Sequence, residues 1–466
     1  MAMIARGRKL YERLALPLQR TVKIIPFAYR LGRAYRETAR LLSAADRWDD
    51  RQIRAYQREQ LNQLLELAIR RVPYYRRYQR LLGRDPFDAL REIEPVSKQQ
   101  MQSALDDFIL PESLRARAHV TYTGGSTGRP LTIHQNHDAV EREWAFIMAL
   151  WRRAGYRPGD RRATFRGVEF QSGSRETVRE NPVYNELLLS PYHLSDEHLA
   201  TYTQALAKFR PQFLRGYPSA LAVYARFLQS RAGNDLPPLK AVLCGSEGLL
   251  PGQRELIEAA FKARVYSWYG MTEKVVLAGE CENSSVYHVM PEYGITEILD
   301  SRGELFAQIG TSGEIVGTGF LNRVMPFIRY RLDDYASITG DHCPACGRRH
   351  LLLSSVQGHR VQDGLIGRSG ALISMTALNL HDATFQGVRQ FQFVQREVGR
   401  AEVLLRIGSD FDPARLAVIA QRLANKTGGD VAFEARVVET IDQTQMGKGV
   451  YLRQLLPVGR TAGLES

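Results

Sequence analysis

A loop rich in glycine and hydroxyl side chains lies between two short apolar segments near residue 125. Apolar residues alternate over 118–122 and again over 131–133, a pattern that predicts strand, tight loop and strand. Glycines let several backbone N–H groups turn toward one point, and hydroxyl side chains add donors to such a nest. The loop residues are Thr123, Gly124, Gly125, Ser126, Thr127 and Gly128. The loop alone predicts polyphosphate binding, with a polar β-turn as an equal alternative.

Cysteine and histidine residues form a second pattern with chemical meaning. Cys343 and Cys346 have CxxC spacing, and Cys281 and His288 lie seven positions apart. Thiolate and imidazole ligands in a set of four suit tetrahedral Zn²⁺ in a closed, structural site. The predicted ligands are Cys281, His288, Cys343 and Cys346, and the rival ligands are His342 and His350. A redox pair at the CxxC spacing is the alternative function.

The length and composition of the chain limit the class of protein. The sequence has only four cysteines in 466 residues, which argues against a disulfide framework. No apolar segment follows the basic N-terminus to make a secretory signal, which argues against export. The remaining cysteine, Cys244, stands in an apolar segment and is predicted to be a core thiol. No apolar run approaches the ~20 residues needed to span a bilayer. The sequence therefore predicts a cytoplasmic protein of two or more domains.

Positive charge is concentrated in the first hundred residues. The formal net charge is +13, and residues 1–100 hold 22 Lys and Arg against 11 Asp and Glu. Residues 1–42 are basic and amphipathic, which fits either a helix at the inner face of a membrane or an arm packed on its own protein. An acidic glycan is another partner for such a segment, and a solvated helical face is the ordinary alternative. No RNA- or DNA-binding module is recognised, so a nucleic-acid partner is not expected.

The elements that must position these residues alternate between helix and strand. Helices are predicted before residue 110, over 137–155, over 196–209 with Ser195 as its cap, and over 251–261. Short strands are predicted at 241–244, 265–268, 294–299, 312–316 and 327–330. Beyond residue 360 the pattern predicts a compact α+β unit with strands 390–395, 402–407 and 431–438 and a helix over 413–426. The predicted fold class is α/β.

Four motifs follow one another in a fixed order: the loop at 123–128, Tyr269-Gly-Met-Thr-Glu273, Tyr330-Arg-Leu-Asp-Asp334 and Gly447-Lys448. Together they resemble the adenylate-forming superfamily of acyl-CoA synthetases and related ligases. Within it the chain resembles the phenylacetate-CoA ligase branch, and most of all the capsular-polysaccharide-biosynthesis (CapK-type) proteins. Further stretches that fit this subgroup are 72–75, 192–195, 215–219 and 325–330. The resemblance covers the chain from about residue 55 onward.

The resemblance implies roles around a bound ATP. The 123–128 loop would wrap the β- and γ-phosphates, and Thr272 would reach the α-phosphate. Glu273 would hold Mg²⁺, a hard cation that prefers carboxylate and phosphate oxygens. Asp334 would accept both ribose hydroxyls, although Asp333 stands where relatives usually carry Gly. The implied adenine-binding residues are Tyr269, Gly270, Met271, Gly245, Ser246 and Glu247.

The resemblance also implies a mobile C-terminal domain. Arg360 belongs to a segment similar to the hinge motif of the family, with His359 where Gly is usual. Lys448 would bridge the substrate carboxylate and the α-phosphate and stabilise charge at the transferring phosphoryl group. The implied fold is a large multi-sheet N-terminal domain with a small mobile α+β C-terminal domain. The predicted divisions are a basic helical arm at 1–54, a large substrate-binding domain at 55–359 and a lid at 360–466.

The implied reaction has two steps. A carboxylate attacks the α-phosphorus of ATP, releasing pyrophosphate and forming an acyl-adenylate, and a thiol or an amine then takes the acyl group as AMP leaves. Coenzyme A is the implied acceptor, an amine on a sugar or amino acid is the alternative, and a non-catalytic nucleotide-binding scaffold is a third possibility. The expected cofactors are ATP, Mg²⁺ and a structural Zn²⁺ of the kind that branch members carry. His193 and Tyr217 are candidates for lining the acyl pocket, or are otherwise packed or surface residues.

Overall fold

The structure of the chain is a computed structural model. It describes residues 21, 25–111, 118–122, 131–165, 176–191, 193–231, 236–249, 252–300, 304–305, 308–358, 364–368, 372–374, 385, 388–408, 411–427, 429–442 and 452–456. The α-helices are α1 (Phe27–Arg30), α2 (Arg33–Ala45), α3 (Asp50–Arg71), α4 (Pro86–Arg91), α5 (Lys98–Ser103), α6 (His137–Arg153), α7 (Asp196–Phe209), α8 (Pro218–Gln229), α9 (Gln253–Phe261) and α10 (Arg415–Lys426). Short 3₁₀ helices cover Pro73–Leu81, Leu105–Phe108 and Pro182–Tyr184.

The strands confirm the predicted α/β class. They are β1 (Ala118–Tyr122), β2 (Thr132–Asn136), β3 (Arg162–Phe165), β4 (Val178–Asn181), β5 (Glu186–Leu189), β6 (Phe213–Gly216), β7 (Ala241–Gly245), β8 (Val265–Gly270), β9 (Leu277–Gly279), β10 (Tyr287–Val289), β11 (Gly294–Leu299), β12 (Ser312–Gly319), β13 (Tyr330–Gly340), β14 (Leu352–Gly358), β15 (Gly364–Ile366), β16 (Leu372–Ser374), β17 (Val388–Glu397), β18 (Arg400–Ile407), β19 (Ala432–Val437) and β20 (Leu452–Gln454). Spatial contacts divide the chain into two compact units. The first comprises residues 1–160, 182–184 and 266–357, and the second comprises 161–181, 185–265 and 358–466.

The first unit contains a largely antiparallel sheet. Seven of its strands lie in the order β11-β12-β13-β14-β10-β9-β8. Helix α3 begins with a capping box in which Asp49 and Gln52 satisfy each other's backbone N–H groups. Its apolar face, with Leu61 and Leu65, packs into the same core as Ile315 of β12. Strands β1 and β2 form a separate antiparallel hairpin, as the alternation predicts.

The N-terminal helix α2 packs on its own protein. Its buried face includes Tyr35 and Leu42, and its neighbour is α6. Gly32 provides no side-chain cap, and the Glu141 carboxylate of α6 instead accepts a hydrogen bond from the Ala34 backbone N–H at 3.2 Å. This carboxylate satisfies a free helix-end donor and interacts favourably with the helix dipole. The apolar face of α2 therefore packs against the protein's own helix α6.

No helix among the described residues is both long enough and apolar enough to cross a bilayer.

The second unit contains a mostly parallel sheet. Its strands lie in the order β7-β6-β3-β5-β4, and only β4 pairs antiparallel. Helix α7 begins after Ser195, whose hydroxyl accepts a hydrogen bond from the His198 backbone N–H, which confirms the predicted cap. Cys244 is fully buried in the core of this sheet, which confirms the prediction of a core thiol.

The C-terminal residues of the second unit form a smaller sheet. Its strands lie in the order β19-β18-β17-β20, with α10 beside β19 and with the two-stranded β15–β16 sheet separate. Arg389 of β17 donates to the Arg226 carbonyl at 2.9 Å and to Ser230 Oγ at 2.7 Å, next to the C-terminal end of α8. Arg226 in turn donates a hydrogen bond to the Arg389 carbonyl at 3.2 Å.

The predicted domain boundaries at 54/55 and 359/360 stay predictions.

One predicted strand is wrong in its position. The strand expected over 327–330 begins only at Tyr330 and extends to Gly340. Arg329 has a φ of 46°, a left-handed conformation that interrupts extended backbone. Its guanidinium is buried against Glu297, at 3.0 Å, and donates to the Ile93 carbonyl at 2.9 Å. These interactions stabilise a turn before the strand, a feature that apolar alternation does not reveal.

Candidate active site

The segment from Tyr269 to Glu273 leaves strand β8 and is joined to the β1–β2 hairpin. Tyr269 and Gly270 are still paired in the antiparallel ladder with β9. The Thr272 carbonyl then accepts a hydrogen bond from Gln135 Nε2 of β2 at 2.9 Å. Gln135 is 1 % exposed, so water does not compete for this bond. The hairpin whose connection carries the 123–128 motif is thus attached directly to Thr272.

Two adjacent aspartates lie near the start of β13. Asp333 is exposed and has a φ of 53°, a backbone conformation that Gly adopts without strain. A Gly at this position would therefore fit the same backbone. Asp334 is partly buried, and its Oδ2 accepts a hydrogen bond from Tyr269 Oη at 2.7 Å. The structure therefore places Asp334 beside Tyr269.

A second hydrogen bond joins the same two segments. Tyr330 Oη donates to Glu273 Oε1 at 3.3 Å. Tyr330 precedes β13 residues 331–334 and is itself 2 % exposed, so it is anchored in the core while its hydroxyl reaches the site. The sequence interpretation included Glu273 but assigned no role to Tyr330 or Gln135. The position of Tyr330 at the head of the 330–334 motif was the available signal, whereas nothing in the sequence indicated Gln135.

The environment of the carboxylates at this site favours the binding of a cation. Burial raises the pKa of Glu273, and Asp334 raises it further, while Lys98 and the Tyr330 hydroxyl lower it. Burial and the neighbouring Asp334 and Glu273 also raise the pKa of Tyr269 well above its ordinary value, so its hydroxyl remains a donor. A bound cation would relieve the repulsion between the two carboxylates. Carboxylate oxygens are the ligands that Mg²⁺ prefers, so the donor set fits that ion.

Lys274 holds the chain after Glu273. It has a φ of 57° and forms a buried ion pair with Glu143 of α6. Tyr293 Oη donates to the other oxygen of the same carboxylate at 3.4 Å. This network fixes the backbone direction behind Glu273. Sequence reasoning did not identify Lys274, because its partner lies 131 positions away in the chain.

Gly245, Ser246 and Glu247 lie in the second unit, at the end of β7. Strand β7 is parallel to β6, and these residues follow at its carboxyl end, where ligands bind in open α/β sheets. Ser246 has a φ of 70°. The remaining predicted ATP-site residues lie outside the described part of the chain; they are Thr123, Gly124, Gly125, Ser126, Thr127, Gly128, Arg360 and Lys448.

The four predicted zinc ligands are brought together in the first unit. Ligand atoms of Cys281, His288, Cys343 and Cys346 all lie within 4.8 Å of one another. His288 is on β10, Cys281 follows β9, and the CxxC segment follows β13. Gly347, with a φ of 77°, makes the turn after the second cysteine, and its N–H donates to the Cys343 carbonyl at 2.8 Å. Strand pairing therefore assembles this cluster from three separate stretches.

The chemistry of the cluster fits a metal ion. His288 is completely buried, and neither of its ring nitrogens has a hydrogen-bond partner among the described residues. A buried imidazole without partners is costly unless something else occupies a nitrogen. Burial and the nearby Arg153 and Arg348 lower the pKa of His288 to about 4, which keeps it in the neutral, ligating form. Three cysteines and one histidine are a donor set for tetrahedral Zn²⁺.

The rival histidines have other positions. His342 and His350 are not part of the four-residue group found among the described residues. The His350 ring is buried, with its centroid 5.8 Å from that of His288. Arg348 supports the cluster from outside by pairing with Glu282 and with Asp46, each at 2.7 Å.

The candidate acyl-pocket residues differ in exposure. His193 is exposed, and its Nδ1 lies 2.9 Å from Ser190 Oγ. Tyr217 is buried in the core of the second unit. Neither observation assigns them to a pocket, and their proposed contact with the acyl group stays a prediction.

Comparisons with known proteins show the family to which the chain belongs. The model of the AMP-binding enzyme family matches residues 76–322. The chain belongs to the AMP-binding enzyme family and is an adenylate-forming ligase. Its relatives include Protein CapK of Staphylococcus aureus, which is 24% identical over 77% of this chain and 79% of the relative. The phenylacetate-coenzyme A ligase of Thermus thermophilus is 24% identical over 83% of this chain and 86% of the relative.

The solved structures support the same fold. A crystal structure of 2-hydroxyisobutyryl-CoA ligase in the postadenylation state, in complex with R3-HIB-AMP, superposes with a TM-score of 0.66. It is 19% identical in sequence and covers 90% of this chain and 92% of that chain. The resemblance inferred from four ordered motifs is thus confirmed at the level of the superfamily and of its phenylacetate-CoA ligase and CapK relatives.

Proposed function

We propose that the protein joins an organic carboxylic acid to AMP at the expense of ATP and then transfers the acyl group to coenzyme A. The observation that carries the proposal is the pair of hydrogen bonds between the Tyr269–Glu273 and Tyr330–Asp334 segments. These bonds bring together a carboxylate suited to ribose and a carboxylate suited to Mg²⁺. The relatives named phenylacetate-coenzyme A ligase support coenzyme A as the acceptor.

The nucleotide would be held mainly by groups at the two segments. Asp334 accepts hydrogen bonds from the ribose hydroxyls, and the Tyr269 ring stacks on adenine beside Gly270 and Met271. Thr272 donates to the α-phosphate. The sequence resemblance assigns further contacts. Adenine would contact Gly245, Ser246 and Glu247, and the β- and γ-phosphates would contact the 123–128 loop. Arg360 would contact the ribose or a phosphate.

In the first step, a carboxylate oxygen of the acid forms a bond to the α-phosphorus while the bond to the pyrophosphate oxygen breaks. Glu273 would hold Mg²⁺, which when bound would neutralise phosphate charge. Lys448 contributes a point charge between the attacking carboxylate and the α-phosphate. In the second step, the thiolate of coenzyme A attacks the acyl carbon, and AMP leaves with the former carboxylate oxygen.

A panel of carboxylic acids tests this function. Each acid is scored for exchange of labelled pyrophosphate into ATP, and positive acids are then tested for AMP release with coenzyme A and with several amines. We expect exchange with at least one acid and AMP release dependent on coenzyme A. Release that depends on an amine instead would replace the proposed acceptor. No exchange with any acid would favour a nucleotide-binding scaffold.

We also propose a structural zinc ion at Cys281, His288, Cys343 and Cys346. The closeness of the ligand atoms supports this site, as do the ring nitrogens of His288, which have no hydrogen-bond partner in the part of the chain that the structure describes. When bound, the ion would cross-link the stretches that carry its ligands. It would take no part in the two chemical steps, because four protein ligands leave no open position.

We further propose a cytoplasmic location with contact to an anionic membrane or glycan through the basic N-terminus. Residues 1–24 hold six Lys and Arg against one Glu, a charge that favours anionic surfaces. Because α2 packs against α6, a deletion that tests this contact must stop before residue 25. Membrane recovery and activity that are both unchanged by deletion of 1–24 would contradict the proposed contact.

A further inference from the structure

The two nucleotide segments are joined in a reciprocal way. Each carries a tyrosine followed four residues later by a carboxylate: Tyr269 and Glu273 in one, Tyr330 and Asp334 in the other. Tyr269 Oη donates to Asp334 at 2.7 Å, and Tyr330 Oη donates to Glu273 at 3.3 Å. The tyrosine of each segment therefore holds the carboxylate of the other.

We propose that the Tyr269 and Tyr330 hydroxyls are positioning groups with separate effects, the first on ribose binding through Asp334 and the second on the Mg²⁺ requirement through Glu273. The inference rests on the proposed function of these two carboxylates. It goes beyond it by assigning a task to each phenol hydroxyl, apart from any stacking by the Tyr269 ring.

The physical argument is one of orientation. A carboxylate offers several lone-pair directions, and one fixed donor limits the rotation that would otherwise turn the others away from the ligand. Glu273 and Asp334 are like charges in the same site, so without donors each would be driven away from the other. The hydroxyls hold both carboxylates in place before ATP arrives, and binding then requires less rearrangement.

The packing of the two tyrosines restricts the movement of their hydroxyls. Tyr330 packs edge-on against Phe327 with ring centroids 5.0 Å apart. It also belongs to the core cluster of the first unit, whereas Tyr269 is held by its pairing with Ala278 of β9. Neither ring can shift without disturbing a strand or the core, so the hydroxyls have fixed positions.

The Tyr269→Phe variant tests the ribose arm by calorimetric binding of AMP and of 2′,3′-dideoxy-AMP in the absence of Mg²⁺. The ring is retained, so stacking is preserved. We expect AMP affinity to fall about tenfold, as for loss of a hydrogen bond to a charged group, and dideoxy-AMP affinity to change less than twofold. An equal loss for both nucleotides, or no loss for either, would overturn the ribose arm.

The Tyr330→Phe variant tests the metal arm by binding of ATP over a series of Mg²⁺ concentrations. We expect the Mg²⁺ concentration that gives half of the maximal gain in ATP affinity to rise about tenfold, while metal-free AMP binding stays within twofold of wild type. Raised Mg²⁺ should restore the pyrophosphate exchange rate. An unchanged Mg²⁺ dependence, or a loss of AMP affinity of similar size, would contradict this arm.

Tyr75→Phe is the matched control. Tyr75 is also fully buried in the first unit, and its hydroxyl hydrogen-bonds the Pro326 carbonyl at 3.3 Å rather than a carboxylate. We expect lower thermal stability with unchanged nucleotide and Mg²⁺ dependence. If the control reproduces either pattern, the effects are structural and the inference is wrong. Wild-type protein that binds no AMP would refute the proposed function, and the inference with it, whereas normal wild-type binding with silent variants would refute the inference alone.

Discussion

Asp333 and Asp334 show how neighbouring residues of one type acquire different tasks. Asp333 is exposed and occupies a left-handed backbone position. Asp334 faces inward and is oriented by the Tyr269 hydroxyl. The backbone turn at position 333 is what directs the next side chain toward the site.

Exchange of each aspartate should separate these tasks. Asp333→Gly should leave AMP affinity unchanged and keep the free energy of unfolding within about 1 kcal/mol of wild type, because Gly adopts a φ near 53° without strain. Asp334→Asn should weaken AMP binding at least tenfold, because ribose hydroxyls donate more strongly to a charged acceptor. Calorimetry and urea unfolding measure the two quantities. Weaker AMP binding by Asp333→Gly alone would reverse the assignment.

Glu292 is a buried carboxyl outside the nucleotide site. It is 3 % exposed, and its Oε2 has no hydrogen-bond partner among the described residues. Burial raises the pKa of Glu292 to about 7, against a lowering influence from Arg153 on α6 and a raising influence from Asp46 beyond α2. Burial raises the pKa of Tyr56 on α3, and the charge of this carboxyl raises it further. The folded protein therefore binds a proton here more tightly than the unfolded chain.

The sign of the resulting pH dependence follows from this raised pKa. The contribution of Glu292 to the free energy of unfolding is fully present below about pH 4.5 and is lost as pH rises through about 7. We expect Glu292→Gln to become more stable than wild type by up to about 3 kcal/mol at pH 8, while the two proteins converge near pH 5. Urea unfolding at both pH values measures the difference. Parallel pH profiles for the two proteins would contradict the prediction.

At the scale of elements, the antiparallel ladder connects the candidate zinc cluster with the nucleotide segment. Gly279 of β9 pairs with Trp268 on one side and with His288 on the other. The next rung joins Tyr269, Ala278 and Val289 in the same way. His288, a predicted metal ligand, and Tyr269, a predicted adenine-site residue, thus lie two strands apart on adjacent rungs. Order at the cluster should help to hold β8, β9 and β10 in register.

Removal of the metal should therefore destabilise this part of the sheet. The double variant Cys343→Ser/Cys346→Ser should lose the proposed zinc ion and melt several degrees lower than wild type, because the cross-link between stretches would be gone. Metal analysis and calorimetry measure both effects. Cys244→Ala is the control, since Cys244 is buried in another core and its loss should lower stability while zinc content stays unchanged. Equal zinc content in all three proteins would refute the site.

At the scale of the whole molecule, the proposed reaction depends on residues spread over most of the sequence. Tyr269, Glu273 and Asp334 belong to the first compact unit. Lys448 lies outside the described residues. We propose that residues 360–466 move as a lid that delivers this lysine, which makes its contribution specific to the chemical step.

Lys448→Ala should separate binding from chemistry. Pyrophosphate exchange should fall at least about a hundredfold, because a charge at the transferring phosphoryl group is removed, while ATP affinity stays within about twofold. The control is Lys208→Ala, at an exposed position in α7, which should alter neither quantity. Exchange at the wild-type rate in the Lys448 variant would remove this residue from the proposed mechanism.

Local sequence information was sufficient for much of the secondary structure. The strand over 294–299 and the helix over 196–209 agree with the structure residue for residue, because alternation and a Ser cap are signals contained within one element. The turn at Arg329 was missed because it depends on the distant Glu297 and Ile93. Packing of the N-terminal arm on its own protein was one of two sequence predictions, but its partner α6 lies more than ninety positions downstream and could not be identified from the sequence.

The amino-acid sequence by itself determined the family, through four short motifs in a fixed order, and it named the four side chains of the candidate metal cluster. Each motif is readable from the sequence because it consists of a few consecutive residues. Only the tertiary structure decided that Asp334 rather than Asp333 meets Tyr269, and that Tyr330 holds Glu273. These hydrogen bonds join positions 65 and 57 apart, so they form only when the folded chain brings the end of β8 close to the start of β13.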